Sequence, residues 1–423
     1  MLWAQLVMAL TLILMISGKT PLYITAIVGA TVSGIVAGFP ITGDEGTTIV
    51  SMVNDGLNPV IADMAGVLLF IGIMEKAGFL DAIIKKIIYV GRKLGGGPGV
   101  CTAGGIAAGV IGALTGFTQP AITASVTGPA ATKLGVDANK VAGVQAHAGH
   151  LGNFGGFTHP TQVAVIATAG IGFGMINLIG TLTALSVFAI SYLRLKREEV
   201  SKRIELSKEK IDEIAASLED SEVDSFGKAI FPFIVLVVGF AMGYPVFIVG
   251  ILCSLLVAFL GGISLFDGEK AMLEGAKRVA TPLVATIGFL FMSSVIENIG
   301  LPDLLSVWFD PVLSVAPIQT MFIVSALAGF VTQSKGASAA IVVPFLGIVL
   351  NTGVDPLTAA AAAAGPAALM QYFLTGGPVA ALATAIPVVP GSELKPANKF
   401  QRPSILGGLA VLFVITLLMG IIL

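Results

Sequence analysis

The sequence predicts an all-α polytopic membrane protein with about ten transmembrane helices plus two re-entrant hairpins, built as two repeats of inverted topology. Three observations predict it. Hydrophobic residues make up 55% of the 423 residues and charged residues only 11%, with a mean hydropathy of +0.95, whereas a soluble domain of this length needs far more charge on its surface. Apolar runs of roughly 20 residues, long enough to cross a bilayer as helices, recur along the chain. Short marks also return in the same order in both halves. Met74-Glu75-Lys76-Ala77-Gly78-Phe79-Leu80-Asp81 answers to Ile296-Glu297-Asn298-Ile299-Gly300-Leu301-Pro302-Asp303, Gly135-Val136-Asp137 to Gly353-Val354-Asp355, and Ala167-Thr168-Ala169 to Ala383-Thr384-Ala385.

The elements follow in order. The first repeat is residues 1–193. Its opening run, Leu2–Ile16, has no basic residue before it and no small-residue cleavage site after it, so it reads as a span rather than a signal peptide. Spans over Leu22–Phe39 and Leu57–Glu75 follow, then a basic amphipathic stretch with Lys85, Lys86, Arg92 and Lys93. Pro98–Ala130 is apolar but rich in Gly, Thr and Pro, and is assigned as the first hairpin. An interrupted span, Asn139–Gly170, and a continuous one, Ile171–Leu193, close the repeat.

Residues 194–228 alternate charges with helical apolar spacing and predict a solvated cytoplasmic linker. The second repeat, 229–423, answers with Ala229–Met242, Tyr244–Leu260, Val279–Ile299, a hairpin over Pro317–Gly347, an interrupted span over Leu357–Pro387 and a last span over Ser404–Leu423.

Charge decides between hairpins and spans. With both termini outside and both Gly-rich segments returning to the side they enter, every one of the 23 Lys and Arg residues except Lys335 falls on or near the cytoplasmic side. Asp44, Glu45, Asp310 and Asp355 fall outside. Making either hairpin a single span divides the basic loops between the two faces, against the cytoplasmic bias of Lys and Arg. The first hairpin then opens to the cytoplasm and the second to the outer face, as an inverted repeat requires.

The composition also excludes. A net charge of −2 gives no sign of a nucleic-acid partner. Cys101 and Cys253 lie in apolar segments and form neither a metal motif nor a disulfide framework, so they read as packing residues. No cofactor is expected.

The polar residues gather at the breaks. The first hairpin tip reads Thr115-Gly116-Phe117-Thr118-Gln119-Pro120 and the second Gly329-Phe330-Val331-Thr332-Gln333-Ser334-Lys335-Gly336. Non-helical backbone at membrane depth is tolerated only where it is buried or lines an aqueous cavity, and its free carbonyls and amides can hold ions. The interrupted spans break at Gly152-Asn153-Phe154-Gly155-Gly156-Phe157-Thr158-His159-Pro160-Thr161 and at Leu374-Thr375-Gly376-Gly377-Pro378. Pro removes an amide hydrogen and Gly holds a helix weakly, so both runs should unwind. Broken spans at matching places in two halves are the best sequence pointer to a transport site.

Candidate binding residues are therefore Thr118 and Gln119 at the first tip, Thr332, Gln333, Ser334 and Lys335 at the second, Asn153, Thr158, His159 and Thr161 at the first break, and Thr375 at the second. Lys335 is the sharpest of them, because a cation inside a membrane is costly unless paired or hydrated. An anionic ligand is its natural partner; a distant carboxylate such as Asp63, or snorkelling to the outer face, is the plainer alternative. His147 and His150 are expected to be satisfied structural groups. His159, inside the break, is a candidate proton carrier. Glu75, Glu297, Asp81 and Asp303 read as caps or interface groups of the framework.

With these marks the chain resembles the ion transporter superfamily, through the paired Glu-x-x-Gly-x-x-Asp marks, the Thr-Gln hairpin tips and the Thr-containing breaks. That group includes gluconate permeases, C4-dicarboxylate carriers, citrate carriers, divalent-anion/sodium symporters and the membrane subunits of TRAP transporters. The resemblance implies a homodimer with a scaffold domain and a transport domain that moves as an elevator. This chain lacks the Ser-Asn-Thr hairpin signature of the divalent-anion/sodium symporters. The expectation is an inner-membrane carrier of an organic anion, a carboxylate, coupled to H+ or Na+, with hairpin-tip carbonyls as the sodium ligands. The alternatives are a sodium/proton antiporter and, with no nucleophile–base pair in view, a membrane-embedded enzyme.

Overall fold

The computed structural model describes residues 1–17, 19–43, 46–57, 59–93, 95–115, 120–201, 226–242, 244–277 and 280–423. Asp44, Glu45, the first hairpin tip with Thr118 and Gln119, and 202–225 of the predicted linker lie outside the described residues. Every regular element among the described residues is helical. In chain order these are α1 (Leu2–Ser17), α2 (Leu22–Val36), α3 (Ile49–Asp55), α4 (Pro59–Lys76), α5 (Phe79–Lys93), α6 (Gly96–Thr115), α7 (Pro120–Lys133), α8 (Ala138–Ala146), a π-helical turn (Leu151–Gly155), α9 (Pro160–Thr168) and α10 (Met175–Ser201). The second half holds α11 (Phe226–Ala241), α12 (Val246–Gly261), α13 (Leu265–Lys277), α14 (Ala280–Asn298), α15 (Leu301–Leu313), α16 (Pro317–Thr332), α17 (Lys335–Leu350), α18 (Pro356–Met370), α19 (Val379–Ala385), a 3-10 turn (Ile386–Val388) and α20 (Leu394–Ile422).

The predicted segments are present with shifted ends. The last span begins at Leu394 rather than Ser404. Its first two turns, with Lys395, Lys399 and Arg402, were too polar to read as part of an apolar run. Three described helices are long and apolar enough to cross a membrane alone: Gly96–Leu114, Met175–Glu199 and Leu394–Ile422. A fourth arises if Val307–Leu313 and Pro317–Thr332, bent by 117°, count as one span, and seven further apolar helices run 10–17 residues. The 15 residues of α2 make a rod about 22 Å long at 1.5 Å per residue, shorter than the roughly 30 Å hydrocarbon core. Outward faces carry large apolar side chains, among them Trp3 at 74% exposed, Phe259 at 82% and Trp308 at 71%. Surfaces of this kind suit lipid rather than water.

The helices pack in two groups. In one, α4 lies on α12 and α13, and α2 on α1 and α14. In the other, α6 packs on α7 and α16 on α17, while α18 fills the space between α16 and α20. The run Ala359–Ala364 on α18 is wholly buried; small side chains let helices approach closely where lipid supplies no hydrophobic drive. Helix α17 joins the groups, contacting α9 and α18 on one side and α1, α14 and α15 on the other.

The repeated marks take the same local conformations. Gly78 and Gly300 are left-handed at φ 71° and 67°, and Gly135 and Gly353 at 86° and 81°. Asp137 caps α8, accepting from the Asn139 amide at 3.0 Å and the Lys140 amide at 3.3 Å. Asp355 caps α18, accepting from the Thr358 amide at 2.7 Å. Asp81 and Asp303 stand in the first turns of α5 and α15, where a carboxylate favours the positive end of the helix dipole. The two Ala-Thr-Ala marks close α9 and α19.

Candidate functional site

The site is built around the turn between α16 and α17. Gln333 ends α16 at φ 51°, the one non-glycine residue with positive φ among the described residues. An L-residue pays roughly 1–2 kcal/mol for that conformation, so the surroundings must hold it. Ser334 restarts the helix as N-cap, its Oγ accepting from the Ala337 amide at 3.3 Å. Thr332 Oγ1 lies 2.7 Å from the Ala328 carbonyl oxygen and 2.9 Å from that of Ser334, bridging the turn.

Lys335 opens α17 and is 2% exposed. Both breaks clamp its backbone. Its amide donates to Gln371 Oε1 of the second break at 2.9 Å, and its carbonyl accepts from Thr161 Oγ1, beside the first, at 3.0 Å. Its ammonium donates to the Asn153 carbonyl and to Gln162 Oε1 at 3.4 Å, with the Phe154 ring centroid 5.9 Å away. An ammonium has three N–H donors; among the described residues two have partners and the third has none. Among the described residues no carboxylate pairs with it. Asp63, the distant candidate, accepts instead from the Phe247 amide at 3.0 Å, and near-complete burial excludes snorkelling.

Of the first predicted break, residues 152–161, only 156–159 unwind; a π-helical turn over Leu151–Gly155 keeps its first part helical, and Pro160 restarts the α-helix. This break leans on α6: the Phe157 amide donates to the Ala113 carbonyl at 3.1 Å, and Thr158 Oγ1 to the Leu114 carbonyl at 3.4 Å. The Gly156 Cα faces the Gly152 carbonyl so closely that a Cβ would collide with it. The second break repeats this, with Gly377 against the Gln371 carbonyl, and Gly376 against the Gln333 side chain. Thus the first break leans on the first hairpin and the second on the second hairpin's tip.

A polar chain runs outward from Lys335. Asn153 Nδ2 donates to the Tyr372 hydroxyl at 3.1 Å. Asn398 Nδ2 donates to the Tyr372 carbonyl at 2.9 Å and lies 3.2 Å from His147 Nε2. Thr375 Oγ1 donates to Asn398 Oδ1 at 3.4 Å. The arrangement gathers polar donors and acceptors between two broken helices and a cationic turn; among the described residues no group of three or more His, Cys, Asp or Glu could hold a metal ion.

No protein-family model matches the sequence, and no curated protein does. Among solved structures, the chain is similar to the YdaH transporter of Alcanivorax borkumensis, whose topology was described as unusual. The likeness has a TM-score of 0.55 at 17% identity and covers 99% of this chain and 97% of that one. The chain shares the fold of that structure over nearly its whole length.

Of the sequence candidates, this fold brings Asn153 and Thr161 into direct contact with Lys335. Thr332, Gln333 and Ser334 shape the turn beneath Lys335. Thr158 and Thr375 spend their hydroxyls on the Leu114 carbonyl and on Asn398. His159 caps α9, within electrostatic range of Lys335, and its Nδ1 is buried without a partner. His147 is a satisfied group, as expected on one nitrogen. His150 is not: it packs on Phe188 at 5.0 Å between ring centroids, and neither ring nitrogen has a partner. Gln162, Gln371, Tyr372 and Asn398 are site residues that the sequence did not single out. Only Gln162 carried a usable signal, one residue past the named break.

Proposed function

We propose that the chain is a secondary active transporter that carries a small organic anion, a carboxylate, across the inner membrane, coupled to H+ or Na+. The observation that carries this reading is the Lys335 ammonium, buried where both broken helices meet, held among the described residues by two neutral oxygens alone, with one donor left over. Burying a charge without a counter-charge costs several kcal/mol, and a carboxylate ligand offsets that cost when it binds. Thr332, Ser334 and Thr158 would support the carboxylate from the tip and the first break; Thr118 and Gln119 belong to the same site by the duplicated Thr-Gln.

His159 is the proton carrier if protons drive transport, and hairpin-tip carbonyls bind the ion if sodium does. The packed group that contains both hairpins and both breaks is the moving body of an elevator. The group with α4, α12 and α13 is the scaffold of a homodimer, with both chain ends external. The topology has ten spans, the paired hairpins entering from opposite faces.

Proteoliposomes test this. Uptake of labelled organic acids under an imposed proton or sodium gradient is the expected result. Sodium-driven proton release with no acid present would instead establish the antiporter reading. Labelling of Ser207→Cys from outside intact cells would overturn the orientation.

A further inference from the structure

We infer that the transported anion carries a single negative charge: a monocarboxylate whose remaining groups are uncharged, bound by Lys335 together with Gln162. The inference rests on the reading above as an anion carrier and adds the charge of the cargo.

The first ground is a count. The segments whose residues touch Lys335, together with its own helix and turn, are 151–168, 332–350 and 356–378. Together they contain one side chain of fixed charge, Lys335. A charge held away from water in low dielectric is costly, so the segments around Lys335 favour a ligand that cancels it. One bound monoanion brings the loaded segments to neutrality. A dianion leaves them at minus one and a trianion at minus two.

The second ground is the donor set. Gln162 is fully buried; its Oε1 accepts from the Lys335 ammonium, while its Nε2 has no partner. An amide with both hydrogens buried and unused costs roughly 1–3 kcal/mol, which a ligand oxygen recovers. One carboxylate oxygen on the open N–H of Lys335 and the other on Gln162 Nε2 satisfies both donors. The remaining neighbours, Asn153, Gln371, Tyr372 and Thr161, are neutral. They can take hydroxyl or carbonyl groups but offer no second cation. Helices α14 and α15, which pack on α17, add only negative groups, Glu297, Asp303 and Asp310, all three exposed. Arg402 on α20 stacks on Phe373, its guanidinium carbon 5.4 Å from the ring centroid, and is the one cation that a longer diacid could reach for.

The experiment uses the full chain and a chain-length-matched series: monocarboxylates of four to six carbons, the dicarboxylates of equal length, and the monoamide of each diacid. Binding is read by thermal stabilisation at a pH of about 8, where every free carboxyl is ionised. Monoacids or monoamides are expected to bind at least tenfold more tightly than the matched diacid. A diacid that binds more tightly than its monoamide overturns the single-charge inference and leaves the anion-carrier reading standing. If that preference disappears in Arg402→Gln, the second charge sits on Arg402. Stabilisation by no acid of any class overturns both readings. Gln162→Glu supplies a near-isosteric counter-charge beside Lys335, and monoacid affinity is expected to fall at least tenfold. Unchanged affinity in that variant also overturns the inference. The acid series on the unaltered chain decides the question even if the variant fails to fold.

Discussion

The two halves of the molecule share their framework and differ in their charge. Gly78 and Gly300, Gly135 and Gly353, and the capping pair Asp137 and Asp355 repeat each other in conformation and contact. Gly156 and Gly377 repeat the same collision-avoiding approach to an earlier carbonyl. The helices that leave the hairpin tips do not match: α7 begins at Pro120 and α17 at Lys335 behind its Ser334 cap. What is duplicated fixes backbone geometry. What is singular is a buried lysine and the amides that hold it. Repetition thus sets the framework, and its breach places the one buried cation among the described residues.

That contrast can be broken, first at the paired glycines. A methyl group at Gly156 or Gly377 would lie against a backbone carbonyl that cannot swing aside. Each Gly→Ala change is expected to cost about 3 kcal/mol, the upper end for overpacking, in reversible denaturation in detergent. Similar costs support a shared geometry; tolerance at one site only would mean the two breaks are alike in sequence and not in mechanics.

The next largest effect belongs to the unpaired feature. Lys335→Met keeps length and removes charge, so affinity for a stabilising acid should fall at least tenfold, about 1.4 kcal/mol. Lys335→Arg restores charge, but its planar fork approaches a carboxylate differently and should recover only part of the affinity. Wild-type affinity in a folded Lys335→Met protein would remove the lysine from the site.

Smaller effects sharpen the framework side. Asp137→Ala and Asp355→Ala each remove a helix cap and should each cost about 1 kcal/mol, with transport per folded molecule unchanged. A transport defect in one and not the other would give that half a role beyond geometry. Thr161→Val deletes one hydrogen bond to the Lys335 carbonyl and should cost about 0.5–1 kcal/mol, read as a lowered midpoint of unfolding.

Much of this was legible in the sequence because its signals are local. Breaks announce themselves by Gly and Pro, caps by Asp after Gly-Val, and a lysine in an apolar run by contrast with its neighbours. The hairpin helices begin and end within a few residues of the expected bounds. The amides escaped notice for the opposite reason. Gln162 and Lys335 lie 173 positions apart, and a glutamine in a helix looks the same whether it faces a partner or nothing. Asn398 was hidden by Lys395 and Lys399, which made its helical turn look like a loop. Tyr372 follows a long alanine run and carries no motif; only the fold sets it against Asn153.

Lys335 is also the one buried side chain of fixed charge among the described residues, and that gives the molecule a built-in chronometer. A water-borne acylating reagent modifies exposed amines at once, while an amine sealed between helices waits for the cavity to open. The lag between surface lysines and Lys335, followed by peptide mass spectrometry, therefore times the opening of the helices around it in the resting protein, with no ligand needed.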